Sequence, residues 1–258
     1  MSDYPTPNVS HDLSGQVALV TGTTSGLGRR FAMVLAACGA KVAVTGRRAE
    51  RLEELAKDIR DAGGVCEPIP FDITDYGQIP GVVDKAETAL GTVNILINNA
   101  GIPDAQRAHK MSDDLVDSVF GTNLVGPWKL SCEVARRLIA AEKPGRMINI
   151  SSVGGFRYDG NGAALYSVTK SAIVRMTEVL AVEWSRFHIN VNAIAPGAFH
   201  SEMMDGMVSR MGDFSGNFPR GRICDPEQMD STLLYFLSPA SEAVTGTYVK
   251  IDDGQGAR

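Results

Sequence analysis

Short apolar runs alternate along the chain with longer segments in which apolar residues recur every three or four positions. The runs are typical of buried strands and the spaced segments of amphipathic helices. Strands are predicted at residues 17–20, 42–44, 65–71, 93–97, 146–150, 189–195 and 248–251. Helices are predicted at 27–38, 52–62, 75–90 with an interruption near Pro80, 112–141, around Tyr166 to about 187, and 226–237.

The alternation of strands and helices predicts βαβ units, and therefore an α/β protein with a doubly wound parallel sheet of about seven strands and helices on both faces. Residues 12–258 contain no linker, repeat or change of composition, so we expect one domain. Residues 1–11 are polar and carry Pro5 and Pro7, and we interpret them as a mobile tail.

The longest stretch without a predicted element is 198–222, and it is too apolar for a solvated loop. Its apolar residues are Phe199, Met203, Met204, Met207, Met211, Phe214 and Phe218. It either packs as ordinary core or covers a pocket, and we favour a substrate lid.

The net charge of −5 and the pI of about 5.4 argue against nucleic acid or an anionic membrane as the main partner. No apolar run approaches the ~20 residues of a membrane-spanning helix, and the first residues do not resemble a signal peptide. The four cysteines are scattered without C-x-x-C spacing, and the four histidines form no ligand pattern. We therefore expect free thiols, no metal site and a cytoplasmic location.

A glycine-rich segment, Gly22-x3-Gly26-x-Gly28, joins the first predicted strand to the first helix. Glycines at such a turn let the backbone approach a diphosphate, which the helix N-terminus then stabilises. A plain glycine-rich turn is the alternative, but the placement favours a nucleotide site.

The end of the second strand, Thr45-Gly46-Arg47-Arg48, bears on the choice of cofactor. A carboxylate that would bond both ribose hydroxyls of NAD is absent there, and two guanidinium groups suit the 2′-phosphate of NADP. Solvated arginines are the alternative. We predict NADP rather than NAD, with the larger contribution from Arg47 because it lies nearer the strand end.

Tyr166 and Lys170 are four residues apart on a predicted helix and therefore share one face. An ammonium near a phenol lowers its pKa, which makes the pair a plausible proton-transfer device. Ser151 and Ser152 end the strand that precedes this helix.

These motifs, together with Asn98-Asn99-Ala100-Gly101, Asn123 and the 192–197 segment, resemble the short-chain dehydrogenase/reductase family in its compact single-domain branch. The resemblance covers about 13–254 and implies a Rossmann fold. The family's usual Asp-Gly-Gly near the end is Asp252-Asp253-Gly254 here, a departure far from the chemistry.

The resemblance implies that Tyr166 is the general acid or base, that Lys170 lowers its pKa and holds the cofactor ribose, and that Ser152 binds the substrate oxygen. Asn123 would hold a water that completes a proton relay. Ser151 competes with Ser152, although the family pattern favours the second serine. The predicted cofactor-binding set is Gly22, Thr24, Ser25, Gly26, Leu27, Gly28, Arg47, Arg48, Asp72, Ile73, Asn99, Ala100, Gly101, Tyr166, Lys170, Pro196, Gly197, Phe199 and Ser201.

Three functions stay open. The first is an NADP-dependent oxidoreductase interconverting a small-molecule ketone and a secondary alcohol, and the second is a 3-oxoacyl-[acyl-carrier-protein] reductase. The third is a dinucleotide sensor without turnover, against which the intact Ser152, Tyr166 and Lys170 set argues. The apolar helix residues Ile173, Val174, Met176, Val179, Leu180 and Val182, with the resemblance, predict a homo-oligomer, either a dimer or a tetramer.

Overall fold

The computed structural model describes residues 10–158, 160 and 162–256. The strands are β1 (Val17–Thr21), β2 (Lys41–Gly46), β3 (Val65–Pro70), β4 (Ile95–Asn98), β5 (Gly145–Ile150), β6 (Ile189–Pro196) and β7 (Tyr248–Ile251). They form one parallel sheet in the order β3-β2-β1-β4-β5-β6-β7. This confirms the doubly wound parallel sheet of seven strands.

The α-helices of the described residues cover both faces of this sheet. They are α1 (Gly26–Ala37), α2 (Ala49–Asp61), α3 (Ile79–Leu90), α4 (Asp113–Phe120), α5 (Gly126–Ala140), α6 (Ala164–Trp184), α7 (Glu202–Met211) and α8 (Asp230–Leu237). Apolar side chains of α1, α2 and α8 fill the core on one face, and those of α3, α5 and α6 fill it on the other. Both faces of each central strand are therefore buried, which explains why the strands are almost wholly apolar.

Two predicted helices are divided in the structure. The segment predicted at 75–90 has a 3₁₀ turn at Tyr76–Gln78, and α3 begins only at Ile79, with Pro80 in its first turn. Proline suits that position because the first helical N–H groups have no partner within the helix. The long helix predicted over 112–141 is α4 and α5 joined by a π-helical turn at Gly121–Val125.

The 198–222 segment is less irregular than expected, because it contains the ten-residue helix α7. None of the residues of α7 is buried. Ser201 begins the helix by accepting a hydrogen bond from the Met204 N–H at 3.2 Å. A serine N-cap is a helix-start signal that can be read from the sequence. The prediction for this segment rested on its apolar content and did not use that signal.

A chain of buried polar side chains connects the two central strands to the helices behind them. The Asn98 amide donates to Ser131 Oγ at 2.8 Å and to Asn149 Oδ1 at 2.9 Å, and Asn149 donates to Thr177 Oγ1 at 2.9 Å. All four side chains are buried. Because buried polar groups must be paired, these bonds set the positions of α5 and α6 relative to β4 and β5.

The apolar stripe that predicted a subunit interface belongs mainly to the core. Ile173, Met176 and Leu180 are buried in the core beside the sheet, and Val179 packs against that core. Val174 is also buried, whereas Val182 is 78% exposed. The stripe is therefore explained by packing within the chain, apart from its outermost residue. Residues 1–9 of the predicted tail lie outside the described residues. Within the described ranges, no helix combines the length and the hydropathy needed to cross a bilayer.

Candidate active site

The carboxyl ends of β1, β4, β5 and β6 meet at one edge of the sheet, and the strand order reverses between β1 and β4. Open α/β sheets bind their ligands in the crevice at such a reversal. The glycine-rich segment follows β1, Asn99 to Gly101 follow β4, and the two serines follow β5. The fold thus brings together the motifs that the sequence separates by more than a hundred residues.

The turn from β1 into α1 is tightly packed and leaves the start of the helix uncapped. A Cβ at Gly28 would lie 2.3 Å from the Gly22 carbonyl oxygen, so only glycine permits this approach. Gly22 and Gly26 have φ angles of 69° and 54°. The Ser25 side chain makes no capping bond, and the first turn carries no acidic residue. The N–H groups of this turn therefore suit an anion such as a diphosphate.

Arg48, rather than Arg47, contacts the glycine-rich turn. Its guanidinium donates to Thr24 Oγ1 at 3.1 and 2.6 Å and to Ser25 Oγ at 3.3 Å. The Arg47 side chain is 70% exposed and approaches Asp72 only at 3.9 Å. Arg48 is therefore the arginine that is bonded to this turn, and the larger role expected of Arg47 stays a prediction.

Three other residues predicted to bind the cofactor, Asn99, Ala100 and Ile73, make contacts within the protein. Asn99 donates from its amide to the carbonyl oxygens of Thr21 and Gly22 at 3.0 and 3.1 Å, so its side chain supports the turn. Ala100 donates its N–H to Thr21 Oγ1 at 3.0 Å. The side chain of Ile73 is buried in the core. The Asn99 amide and the Ala100 N–H are thus bonded within the protein, and the Ile73 side chain packs in its core.

The predicted cofactor residues at and after the end of β6 also make contacts within the protein. The Gly197 N–H donates to the Ile251 carbonyl at 2.9 Å, which holds the Pro196-Gly197 turn against β7. The Phe199 side chain is 3% exposed and packs in the core, so it does not face the crevice. The Ser201 hydroxyl is occupied as the N-cap of α7, and its Cβ lies 3.0 Å from where a Cβ on Gly26 would be.

Lys170 is buried beneath the site. Its Nζ donates to the Ile150 carbonyl at 2.8 Å and lies 5.5 Å from the centroid of the Tyr166 ring. Burial lowers the pKa of the Lys170 ammonium from 10.5 to about 8. Desolvation disfavours the charged form of any buried amine, which explains the direction.

The pKa of the Tyr166 phenol moves the other way from the sequence-based expectation. Burial raises it, a hydrogen bond with Ser152 lowers it, and the charge of Asp104 raises it further, with a net increase above 10.0. Lys170 is not among the groups that shift this pKa. The protein groups around the phenol therefore favour its protonated form.

The structure separates the roles of the two adjacent serines. Ser151 is buried, and its hydroxyl donates to the Lys170 carbonyl at 2.8 Å. Ser152 Oγ accepts the Gly154 N–H at 3.0 Å and is hydrogen-bonded to Tyr166. Ser152 is therefore the one of these two serines that is hydrogen-bonded to the Tyr166 side chain.

Asn123 lies in the π-helical turn between α4 and α5 and faces the same region. Its Oδ1 accepts the Ile102 N–H at 2.8 Å, and its Nδ2 donates to the Ile102 carbonyl at 3.0 Å and to Thr169 Oγ1 at 3.2 Å. A Cβ at Gly101 would lie 3.4 Å from Lys170 Nζ and 3.5 Å from Asn123 Oδ1. Asn123 and Lys170 thus flank one glycine.

The sequence also matches a known protein family. A sequence model described as "short chain dehydrogenase" matches residues 16–211. The chain belongs to this family.

Several proteins and solved structures are similar to this short-chain dehydrogenase over nearly its whole length. A 3-oxoacyl-[acyl-carrier-protein] reductase of Thermotoga maritima is 32% identical over 94% of this chain and 98% of its own. A short-chain type dehydrogenase/reductase from Mycobacterium marinum has a TM-score of 0.92 at 31% identity, covering 96% and 98% of the two chains. A gluconate 5-dehydrogenase from Burkholderia cenocepacia in complex with NADP and tartrate has a TM-score of 0.88 at 30% identity, covering 95% and 96%. The chain is accordingly an oxidoreductase that acts on CH–OH groups with NAD(P).

One residue of the short-chain dehydrogenase site was missed by the sequence analysis. Asp104 is 3% exposed, and its carboxylate accepts N–H bonds from Ala105 and Leu165 at 2.8 Å and from Tyr166 at 3.1 Å. It caps the start of α6 from a distant loop and fixes the backbone of the tyrosine. A single aspartate in a polar loop carries no local signal of this contact.

Replacing Asp104 by alanine should lower the free energy of unfolding by about 1–3 kcal/mol, because buried N–H groups lose their acceptor. Urea denaturation of the wild type and the variant measures this. Asp114→Ala, an exposed acid in the first turn of α4, is the control and should change stability by about 0.5 kcal/mol or less. Equal stability of Asp104→Ala and the wild type would contradict the capping role.

Proposed function

We propose that the protein is an NADP(H)-dependent oxidoreductase that interconverts a ketone and a secondary alcohol, with Ser152, Tyr166, Lys170 and Asn123 as its proton relay. The observation that carries the proposal is the convergence of the Ser152 hydroxyl and the Tyr166 phenol, with the buried Lys170 beside them. Hydroxyl groups placed in this way can bind and protonate one carbonyl oxygen.

The bound cofactor would supply or accept the hydride, and the protein supplies position and the proton. During reduction the substrate oxygen gains negative charge. Ser152 would stabilise that charge by donating a hydrogen bond, and Tyr166 would transfer its phenolic proton to the same oxygen. Lys170 and Asn123 would return a proton to the phenol from solvent.

The cofactor preference rests on charge at the end of β2. Gly46 presents no carboxylate to a ribose 2′-hydroxyl, and the Arg48 guanidinium lies against Thr24 and Ser25 of the glycine-rich turn. The Burkholderia relative was solved with NADP. We therefore propose NADP over NAD, and we assign the larger share of the preference to Arg48.

The 3-oxoacyl-[acyl-carrier-protein] reductase function is the second candidate, favoured by the Thermotoga relative. Phe156 lies four residues after Ser152, in the segment between β5 and α6. The Phe156 ring packs on Tyr248 with centroids 4.8 Å apart, and the Lys250 ammonium lies 4.5 Å from its centroid. Phe156 is therefore engaged with β7. A panel of ketones, hydroxy acids and 3-oxoacyl thioesters assayed with both cofactors distinguishes the candidates.

The 198–222 segment is proposed as the substrate lid, since α7 has no buried residue and its end is anchored separately. Arg220 and Arg222 pair with the Asp253 carboxylate at 2.9 and 2.7 Å. We further propose a homo-oligomer, in which exposed apolar side chains such as Trp128, Val168 and Val182 would be covered. A cytoplasmic location stays a prediction, supported by four free thiols.

Tyr166→Phe should reduce kcat by about 10²–10⁴, because the only proposed acid is lost. NADPH affinity, measured by fluorescence titration, should stay near the wild-type value. Ser152→Ala should likewise lower kcat, whereas Ser151→Ala should act mainly on stability, since that hydroxyl holds α6. Retention of more than a tenth of wild-type kcat by Tyr166→Phe would refute the assignment.

NADPH should exceed NADH in kcat/KM by at least about tenfold, because a charge-assisted hydrogen bond contributes about 1.5–3 kcal/mol. Arg48→Ala should remove most of this difference, and Arg47→Ala, the matched control, should remove less. Steady-state kinetics with both cofactors on the three proteins measures the preference. Equal efficiency with NADH and NADPH in the wild type would show that neither arginine selects the cofactor.

Asp104→Asn should move the alkaline loss of ketone reduction to lower pH. Reduction requires the protonated phenol, and the Asp104 charge raises the pKa of Tyr166. Removing that charge lowers this pKa, so deprotonation occurs earlier as the pH rises. The pH dependence of kcat for the wild type and Asp104→Asn tests this. An unchanged or upward-shifted alkaline limb would contradict it.

A further inference from the structure

The first residue of α7 is an acid that occupies the arginines at the cofactor site. Glu202 accepts hydrogen bonds from both terminal nitrogens of Arg48, at 3.2 Å on Oε1 and 3.0 Å on Oε2. It is also paired with Arg51 in the first turn of α2. Two guanidinium groups therefore converge on one carboxylate.

These ion pairs join opposite sides of the nucleotide crevice. Arg48 and Arg51 lie at the start of α2, after β2, while Glu202 begins α7, after β6. Between them lies the glycine-rich turn, because Arg48 also bonds to Thr24 and because Ser201 touches Gly26. The pairs thus extend from the lid across the turn that would hold the cofactor diphosphate.

A carboxylate and a phosphate bind a guanidinium through the same planar set of N–H donors, so they exclude one another. Hydrogen bonds from Arg48 and Arg51 lower the pKa of Glu202 from 4.5 to about 2. Its charge is therefore present throughout the pH range in which the protein would work. Side chains of Arg48, Arg51 and Glu202 are between 42% and 47% exposed, so the pairs are weak enough to exchange.

We infer that Glu202 is an internal competitor for the 2′-phosphate of NADP(H), which must displace it from Arg48 and Arg51 and thereby releases α7. The inference rests on the proposed NADP preference. NAD(H) has no 2′-phosphate and leaves the ion pairs in place. Because linkage is reciprocal, any variant that frees α7 from the arginines strengthens binding of the phosphate.

Binding of two fragments isolates this effect from catalysis. Adenosine 2′,5′-bisphosphate carries the 2′-phosphate, and 5′-AMP lacks it. Titration calorimetry on the Glu202→Gln variant should show the bisphosphate binding about two- to fivefold tighter than to the wild type, the range that exposed ion pairs support. Binding of 5′-AMP should not change.

Asp205→Asn is the matched control, since it removes the same charge from the same turn of α7 and no ion pair joins Asp205 to a described residue. It should leave the ratio of the two affinities at the wild-type value. Hydrogen exchange supplies a second measurement. The bisphosphate should raise amide exchange in α7 of the wild type, 5′-AMP should not, and Glu202→Gln should exchange fast without either fragment.

Two outcomes overturn the inference and are distinct from each other. In the first, Arg48→Ala weakens binding of the bisphosphate, but Glu202→Gln tightens it no more than Asp205→Asn does. Glu202 is then not a competitor, and the NADP preference stands. If the wild type binds both fragments equally and Arg48→Ala changes neither, the NADP preference fails and the inference fails with it.

Discussion

The attachment of α6 to the end of β5 is the constraint on which the site depends. Lys170 Nζ bonds to the Ile150 carbonyl, and the Lys170 carbonyl accepts the Ser151 hydroxyl, both at 2.8 Å. A Cβ on Gly155 would lie 2.9 Å from the Lys170 carbonyl carbon, so the chain after β5 also runs directly against the helix. Strand, turn and helix are therefore locked in one register, and Ser152 reaches Tyr166 because of it.

Burial of this junction decides the protonation of the two titratable groups. It lowers the pKa of an ammonium and raises that of a phenol, since each change favours the neutral form. With the pKa of Lys170 at about 8 and that of Tyr166 raised above its ordinary value, both groups keep their protons at neutral pH. The Asp104 carboxylate strengthens this bias while it caps the helix. The protein groups around Tyr166 thus favour its protonated form, which is the form that the proposed mechanism needs for ketone reduction.

The nucleotide end of the crevice is built differently. Its charged groups are half-exposed, and their ion pairs with Glu202 cross from one element to another. Exposed pairs contribute little to stability and exchange readily, whereas the buried bonds of α6 resist change because an unpaired buried group is costly. The proposed proton-transfer site is therefore buried, whereas the charge cluster of Arg48, Arg51 and Glu202 is half-exposed.

Short-range patterns in the sequence were sufficient to predict the seven strands and their parallel arrangement. The family resemblance pointed to Ser152, Tyr166 and Lys170, which the fold brings close together. Apolar periodicity and glycine placement record the burial and backbone angles that each element needs, and these are local properties. Tertiary structure alone decided which groups meet. Asp104 caps a helix that begins sixty residues later, Glu202 occupies Arg48 from the far side of the crevice, and Phe199 turns into the core. Each of these contacts joins segments distant in the chain, so no spacing in the sequence records it, and the direction of the Tyr166 pKa depends on burial that only packing produces.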